Sequence, residues 1–177
     1  MDLVPEQVAQ ALAVGTEATV EIVRVETAAE MEAAVLARRD ADVVVMAAAV
    51  ADFRPKAPAD EKLKKAEGVP ELVLEPTADI LAVLAERKRP GQVLVGFAAE
   101  TERVREQARA KLRGKGLDLL VANDVSAPGA GFEHDTNRVV LLDAAGSEQD
   151  VPLTDKREVA RIVFDAVVAH RKGQEKA

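Results

Sequence analysis

Side chains with chemical potential collect just past apolar segments of this sequence. The clearest case is residues 47–65, AAAVADFRPKAPADEKLKK. An apolar run ends, Asp52 follows, and a Pro-containing polar stretch leads into Lys62, Lys64 and Lys65. A carboxylate so placed can hold a hard divalent cation that also touches phosphates, because such ions keep several waters and need only one or two protein carboxylates. An Asp there can equally cap a turn. Three ammonium groups on one loop can close over a polyphosphate, each acting as a mobile point charge. Structureless loops longer than about 12–15 residues are uncommon and are often lids. The plain alternative is a solvated lysine run.

Three further groups stand out. Lys111 and Lys115 are four apart and share one face of a helix, with Arg109 and Arg113 beside them. A basic last turn also complements the helix dipole without any ligand. Gly96, Phe97, Ala98 and Ala99 put one ring among small residues, so a flat group could approach the backbone and Phe97 could lie against a base. Phe97 can also serve as core filler. Asn123 and Asp124 end an apolar run, where an Asn can donate to and accept from a ligand or cap a turn. Together these residues describe a nucleoside triphosphate pocket rather than a hydrolase triad. Neither a GxxxxGK phosphate loop nor a GxGxxG dinucleotide fingerprint occurs.

Such residues need a frame. ATVEIVRV at 18–25 alternates and is β-branched, which predicts a strand. Thr27 and Glu30 form a capping box for a helix with a Met31, Val35, Leu36 stripe. DVVVMAAAV at 42–50 reads as a central parallel strand, and ELVLEP at 71–76 as a short one. Thr77 is the expected cap of a helix that ends before Pro90. QVLVGFAAE at 92–100 and LDLLVANDV at 117–125 are further buried strands, separated by a helix ending near Gly114 and Gly116. RVVLLD, the AG turn and a following strand make a hairpin. A long C-terminal helix turns Ile162, Val163, Ala166 and Val167 inward, and 1–16 opens with a short helical piece. Alternating strands and helices predict a single α/β domain, Rossmann-like and three-layered, with a mainly parallel sheet and a small antiparallel extension. Ligands bind such sheets outside the carboxyl ends of the strands, and VADFRP, FAAET and ANDVS all leave on that edge.

Composition narrows the function. The chain has 177 residues, 48% of them hydrophobic, enough for one cored domain. The net charge of -7 and only four aromatic residues, all Phe, argue against a nucleic-acid binder. With no Cys and two His, thiolate and His-rich metal sites are excluded. No apolar run approaches the roughly 20 residues that span a bilayer, and the N-terminus lacks a signal-peptide pattern, so a cytoplasmic protein is expected.

The motifs AAAVADFRP, EKLKK, VGFAAET, ARAKLRGKGLDLLVANDVS and GFEHDTNRVVLL, in this order, resemble phosphopantothenoylcysteine synthetase, the phosphopantothenate–cysteine ligase of coenzyme A biosynthesis. The match runs from about residue 20 to 168, and several motifs in register are far more specific than one. The resemblance implies a dimerising Rossmann-like domain, often joined to a flavin-dependent decarboxylase. It implies CTP and Mg2+, with 4'-phosphopantothenate and L-cysteine joined through an acyl-cytidylate. Carried over by motif, Asp52 is the cation-linked carboxylate and Lys62 the catalytic loop lysine at the triphosphate. Ala78, Asp79, Ile80 and Leu81 are the nucleotide-contacting segment, Phe97 packs on the base, and Lys111 and Lys115 are paired phosphate or base contacts. Ala48, Ala49 and Asn123 line the acyl-intermediate region. The family's GGTREPID-like and NRSSGKMG-like segments do not occur, so an N-terminally incomplete domain over 1–177 is expected. Three readings stay open: a ligase, a non-catalytic dimerising and nucleotide-binding remnant or split subunit, or a different α/β nucleotide enzyme of kinase-like or dehydrogenase-like kind, against which the lack of both phosphate-binding fingerprints counts.

Overall fold

A computed structural model of the chain describes residues 20–57, 71–126, 129 and 134–174. The expected helical piece at 1–16, most of the loop after Ser126, and Lys62, Lys64 and Lys65 lie outside the described residues.

The architecture follows from strict alternation. β4 (Val93–Glu100), β5 (Leu119–Asp124) and β6 (Thr136–Asp143) each turn successive apolar residues to opposite faces. One face carries Leu94, Ala98, Leu120, Ala122, Val140 and Leu142. The helices α2 (Ile80–Glu86) and α3 (Val104–Gly114) cover it with Leu81, Leu84, Ala108 and Leu112. The other face carries Val93, Val95, Leu119, Val121, Val139 and Leu141. There α4 (Lys156–Gln174) adds Val159, Val163 and Val167 at helical spacing. Two packed clusters on opposite faces make three layers. Each fully buried Leu or Val contributes roughly 1.5–3 kcal/mol of burial.

The five-stranded sheet runs β1 (Val43–Met46), β4, β5, β6, β7 (Glu148–Asp155). β1, β4 and β5 are parallel, while β6 and β7 are antiparallel to their neighbours and form the expected extension. This is the Rossmann-like α/β fold. The hairpin between β6 and β7 turns at Gly146, whose φ of 94° suits a residue without Cβ. A separate ribbon pairs β2 (Phe53–Pro55) with β3 (Leu74–Pro76) in antiparallel register.

Several local expectations hold. Thr27 and Glu30 make the capping box of α1 (Ala28–Leu36), and Met31, Val35 and Leu36 pack on the first cluster. Ile162 and Ala166 pack against the second cluster beside Val163 and Val167, and Val159 joins them.

Others need correction. Residues 20–25 form no strand. β-branched residues favour a pleated, half-buried surface, and this stretch has no ladder partner among the described residues. The strand within 42–50 is only Val43–Met46, and it stands at the edge of the described sheet rather than at its centre. The 71–76 strand shortens to three residues and joins the ribbon, not the main sheet. Thr77 does not cap α2. Asp79 does, accepting from the Ala82 N–H at 3.1 Å. Thr77 instead ties two loops: its N–H donates to the Asp52 carbonyl at 2.9 Å and its hydroxyl to the Ala51 carbonyl at 2.5 Å.

Candidate functional site

The parallel half of the sheet sends β1, β4 and β5 out at one end, and two adjoining cavities lie there. The smaller, of about 170 Å³, is lined by Asp52, Ala78, Asp79, Ile80, Leu81, Phe97 and Lys115, with Met46, Ala48, Val50, Ala51 and Thr77. The larger, of about 350 Å³, is walled by Ala47, Ala48, Ala49, Phe97, Ala98, Ala99 and Asn123 from the three strand exits, and by Val159 and Ala160 of α4. Ala48 and Phe97 belong to both linings, so the cavities meet at one wall.

Each residue arrives by a traceable route. Asp52 sits where β2 begins, held through its carbonyl by Thr77. Its carboxylate is exposed and has no partner among the described residues. Asp79 is placed by the start of α2 and Lys115 by the end of α3, and they meet at 2.8 Å. Partial burial works against ionisation of Asp79. The Lys115 ammonium, the Ala82 and Leu81 N–H groups and the attraction of Lys115 outweigh it and hold the carboxyl below its ordinary range. Phe97 follows Val95 on the α4 side of β4 and stays partly exposed. Asn123 lies opposite Ala99 on β4 and Val139 on β6. Its Oδ1 is sealed from solvent and accepts no hydrogen bond among the described residues.

The sequence-derived set is mostly brought together: Ala48, Ala49, Asp52, Ala78, Asp79, Ile80, Leu81, Phe97, Lys115 and Asn123 all line one cavity or both. Two differ. Lys62 lies outside the described residues, between β2 and β3 in sequence. Lys111 lines neither cavity, and its ammonium stands 2.7 Å from Glu100 Oε1 as a close ion pair without hydrogen-bond alignment. The helix spacing that put Lys111 and Lys115 on one face holds, but each faces a different carboxylate.

Gly96 also departs from expectation. A side chain there would meet Leu117 Cδ1 at 2.7 Å and Leu81 and Leu120 methyls at 3.1 Å. Its small size serves core packing, not the approach of a flat ligand.

Sequence reasoning missed Asn137 and Lys156, both in the larger cavity. Because β6 runs antiparallel to β5, its first residues lie at the carboxyl end of β5. Because β7 runs antiparallel to β6, it ends at the same place and hands over to Lys156. The hairpin signal at Gly146 contained this consequence.

A divalent cation fits Asp52 only in company. Among the described residues no group of three or more His, Asp or Glu is placed to hold a metal. An exposed, unpartnered single carboxylate suits an ion that brings water and phosphate ligands with it. Among the described residues no helix is long and apolar enough to cross a membrane.

Comparison with known proteins gives the family and the fold. The family described as DNA/pantothenate metabolism flavoprotein C-terminal domain matches residues 6–170. The coenzyme A biosynthesis bifunctional protein CoaBC of Bacillus subtilis (strain 168) is 46% identical over 153 residues, covering 86% of this chain and 37% of the relative. Its counterpart in Mycobacterium tuberculosis (strain ATCC 25618 / H37Rv) is 43% identical over 167 residues, covering 88% and 40%. The chain thus spans about two fifths of the length of these curated relatives. The crystal structure of the C-terminal domain of a CoaBC protein superposes with a TM-score of 0.67 at 37% identity, covering 88% of this chain and 66% of that one. A Cab2 mutant solved in complex with phosphopantothenate-cysteine shares the fold at 18% identity and a TM-score of 0.56. The chain belongs to the DNA/pantothenate metabolism flavoprotein C-terminal domain family, the family of the C-terminal domain of the bifunctional coenzyme A biosynthesis proteins, as its motifs led one to expect.

Proposed function

We propose that this chain carries the CTP-dependent ligation of 4'-phosphopantothenate with L-cysteine. The observation that carries the reading is the shared wall at Ala48 and Phe97, which joins a charged cleft to an apolar cavity at the carboxyl ends of the parallel strands. A ligase of this kind must hold a nucleotide and an acid side by side. The smaller cleft takes the nucleotide, with residues 78–81 and Phe97 against it and Lys115 beside its phosphates. The larger cavity takes the acid along Ala48, Ala49 and Asn123. The family and the phosphopantothenate-cysteine complex of the Cab2 mutant support the substrate class.

The acid's carboxylate oxygen attacks the α-phosphorus of CTP. A P–O bond forms, the α–β anhydride bond breaks, and pyrophosphate leaves. The cysteine amine then attacks the acyl carbon of the acyl-cytidylate, a C–N bond forms, CMP departs and the amine loses a proton. Asp52 would hold Mg2+ against the phosphates, where the ion neutralises charge that develops on the leaving group. By sequence, Lys62 belongs with these contacts, and Lys111 stands one helical turn from Lys115. A decarboxylase domain or partner chain is part of the same proposal, since the curated relatives are bifunctional and longer, and so is the homodimer that the motif resemblance implies.

Release of pyrophosphate and CMP from CTP, 4'-phosphopantothenate and cysteine tests the reading. Asp52→Asn should lower the rate about 100-fold or more, as expected for loss of charge stabilisation at a transferring phosphoryl group. Absence of CTP binding at millimolar concentration by calorimetry, with the chain folded, would overturn the assignment, whereas CTP binding without turnover would leave the non-catalytic nucleotide-binding alternative.

A further inference from the structure

Two walls of the smaller cleft come from segments distant in the chain. Ala51 and Asp52 follow β1, and residues 78–81 follow β3. Thr77 joins them. In the ribbon register Phe53 faces Pro76, so Asp52 and Thr77 are the next pair along. The Thr77 N–H donates to the Asp52 carbonyl at 2.9 Å, which carries the ladder one pair further. The Thr77 hydroxyl adds a bond that no ladder supplies, donating to the Ala51 carbonyl at 2.5 Å.

That bond matters because core packing does not hold the ribbon. No residue of β2 or β3 belongs to either core cluster, and Phe53 and Leu74 are more than half exposed. A two-stranded ribbon is marginal by itself in water, so hydrogen bonds at its base carry much of its placement. The Arg54–Glu75 ion pair and the Lys56 N–H on the Val73 carbonyl join the strands farther from the cleft. The Asp52 carboxylate has no partner among the described residues, so its backbone alone fixes it. Asp79, in contrast, is anchored twice, as the cap of α2 and by Lys115 at 2.8 Å. A Thr just before a helix ordinarily serves as its cap. Here Asp79 has that role, which leaves the Thr77 hydroxyl to the Asp52 loop.

We infer that Thr77 is a positioning residue, whose hydroxyl fixes the Asp52 loop against the start of α2 and so places the Asp52 carboxylate across the cleft from residues 78–81. This rests on the reading of the smaller cleft as the nucleotide site, with Asp52 toward Mg2+. Thr77 acts through Asp52 and needs no contact with the nucleotide. Without the hydroxyl the loop samples more positions, and the carboxylate is in place for a phosphate-bound cation a smaller fraction of the time. Apparent affinity falls by that fraction. The loss lands on the metal-dependent part of binding and spares the part that residues 78–81 and Phe97 supply.

Calorimetry on the whole 177-residue chain with CTP, in the presence and absence of Mg2+, tests this. Thr77→Val keeps the outline and the N–H bond and loses the hydroxyl. It should weaken CTP binding about three- to tenfold with Mg2+, the range of one hydrogen bond, and leave metal-free binding unchanged. Thr77→Ser keeps the donor and should bind within about twofold of the parent chain. In an Asp52→Asn background Thr77→Val should have no further effect, because the carboxylate it places is gone. Both Thr77 variants should keep the parent's main unfolding transition, since the ribbon lies outside both core clusters. The inference is overturned by a Thr77→Val chain that binds CTP with Mg2+ as the parent does, or by a Thr77→Ser chain as weak as Thr77→Val. An equal loss without the metal, or in the Asp52→Asn background, overturns it too. A parent chain that binds no CTP sinks the nucleotide reading instead, and the clamp is then read by amide hydrogen exchange. The residue-77 N–H, corrected for its intrinsic rate, should exchange faster in Thr77→Val than in Thr77→Ser, and equal rates remove the clamp as well.

Discussion

The two ends of the parallel strands handle polar groups in opposite ways. At the amino end, Asp118 and Gln92 are 5% and 3% exposed, and both are fully engaged. Asp118 Oδ2 accepts from the Leu94 N–H at 2.7 Å, and Oδ1 lies 2.5 Å from the Lys88 ammonium and 3.4 Å from His170 Nε2. The Gln92 amide donates to the Arg39 and Ala41 carbonyls at 2.7 and 2.6 Å, and its oxygen accepts from the Arg89 N–H at 3.2 Å. At the carboxyl end, the Asp52 carboxylate, the Lys156 ammonium and Asn123 Oδ1 lack partners among the described residues. Buried polar groups that complete their bonds within the chain hold a fold together, while exposed charged groups such as Asp52 and Lys156 make no such contribution and stay available to water or a ligand. One end is built for structure and the other for binding.

The sharpest way to break this contrast is at Asp118. Asp118→Ala leaves the Leu94 N–H buried without its acceptor and strips Lys88 and His170 of their common carboxylate. Lys88 is one quarter exposed and can reach water, which limits the cost. The expected loss is about 2–3 kcal/mol, or about 4–12 °C in Tm for a domain of this size. Binding of CTP by whatever fraction stays folded should be unchanged. A loss under about 1 kcal/mol would mean that pairing does not hold the amino end.

Asp79 sits on the binding end yet is paired, so it tests where the boundary falls. Asp79→Ala removes the cap of α2 and should cost about 1 kcal/mol at neutral pH. Asp79→Asn keeps a cap acceptor and loses only the partly exposed ion pair with Lys115, roughly 0.2–1 kcal/mol. The pH dependence has a definite sign. The folded-state pKa is lowered, so the carboxylate's contribution is complete above the ordinary value of 3.8 and is lost as pH falls through the lower folded value. The difference in Tm between the parent chain and Asp79→Asn should therefore shrink only below about pH 4. A difference that shrinks nearer neutrality would assign it to another group.

Much of this contrast was readable beforehand, and the reason lies in period and position. Alternating apolar residues in β4 and β5, and helical spacing in α4, declare which faces are buried. Polar residues just past such strands declare the binding edge, and ten sequence-derived residues line its cavities. What could not be read depends on contacts between distant segments. Residues 20–25 have strand composition but no ladder partner among the described residues, and a strand exists only as part of a ladder. The cap of α2 shifted from Thr77 to Asp79 because the ribbon's base engages Thr77. Lys156 sits in an ordinary stretch of mixed charge, Asp155 to Glu158, and only the antiparallel return of β7 carries it to the cavity. Asp118 falls within the stretch 117–125 that reads as a strand, and its place beside Leu94, Lys88 and His170 is purely tertiary.

The smallest expected effect on stability is the most telling. Asn123→Leu puts an apolar side chain of similar outline where a sealed carbonyl oxygen lacks a donor, and the adjoining 350 Å³ cavity gives the added bulk room. Removing an unsatisfied polar group by an apolar one is close to neutral or mildly stabilising, so the change should stay within about 1 kcal/mol. At Asp118 the same kind of replacement removes completed bonds and is costly. Affinity for 4'-phosphopantothenate should nevertheless fall about tenfold, because Asn123 lines the cavity proposed to take the acid and its polar amide is lost there. Urea denaturation and calorimetry on the same preparation read both quantities. A stability loss above about 2 kcal/mol would place Asn123 with the structural groups, and the division between the two ends of the sheet would fail at the residue on which the binding end most depends.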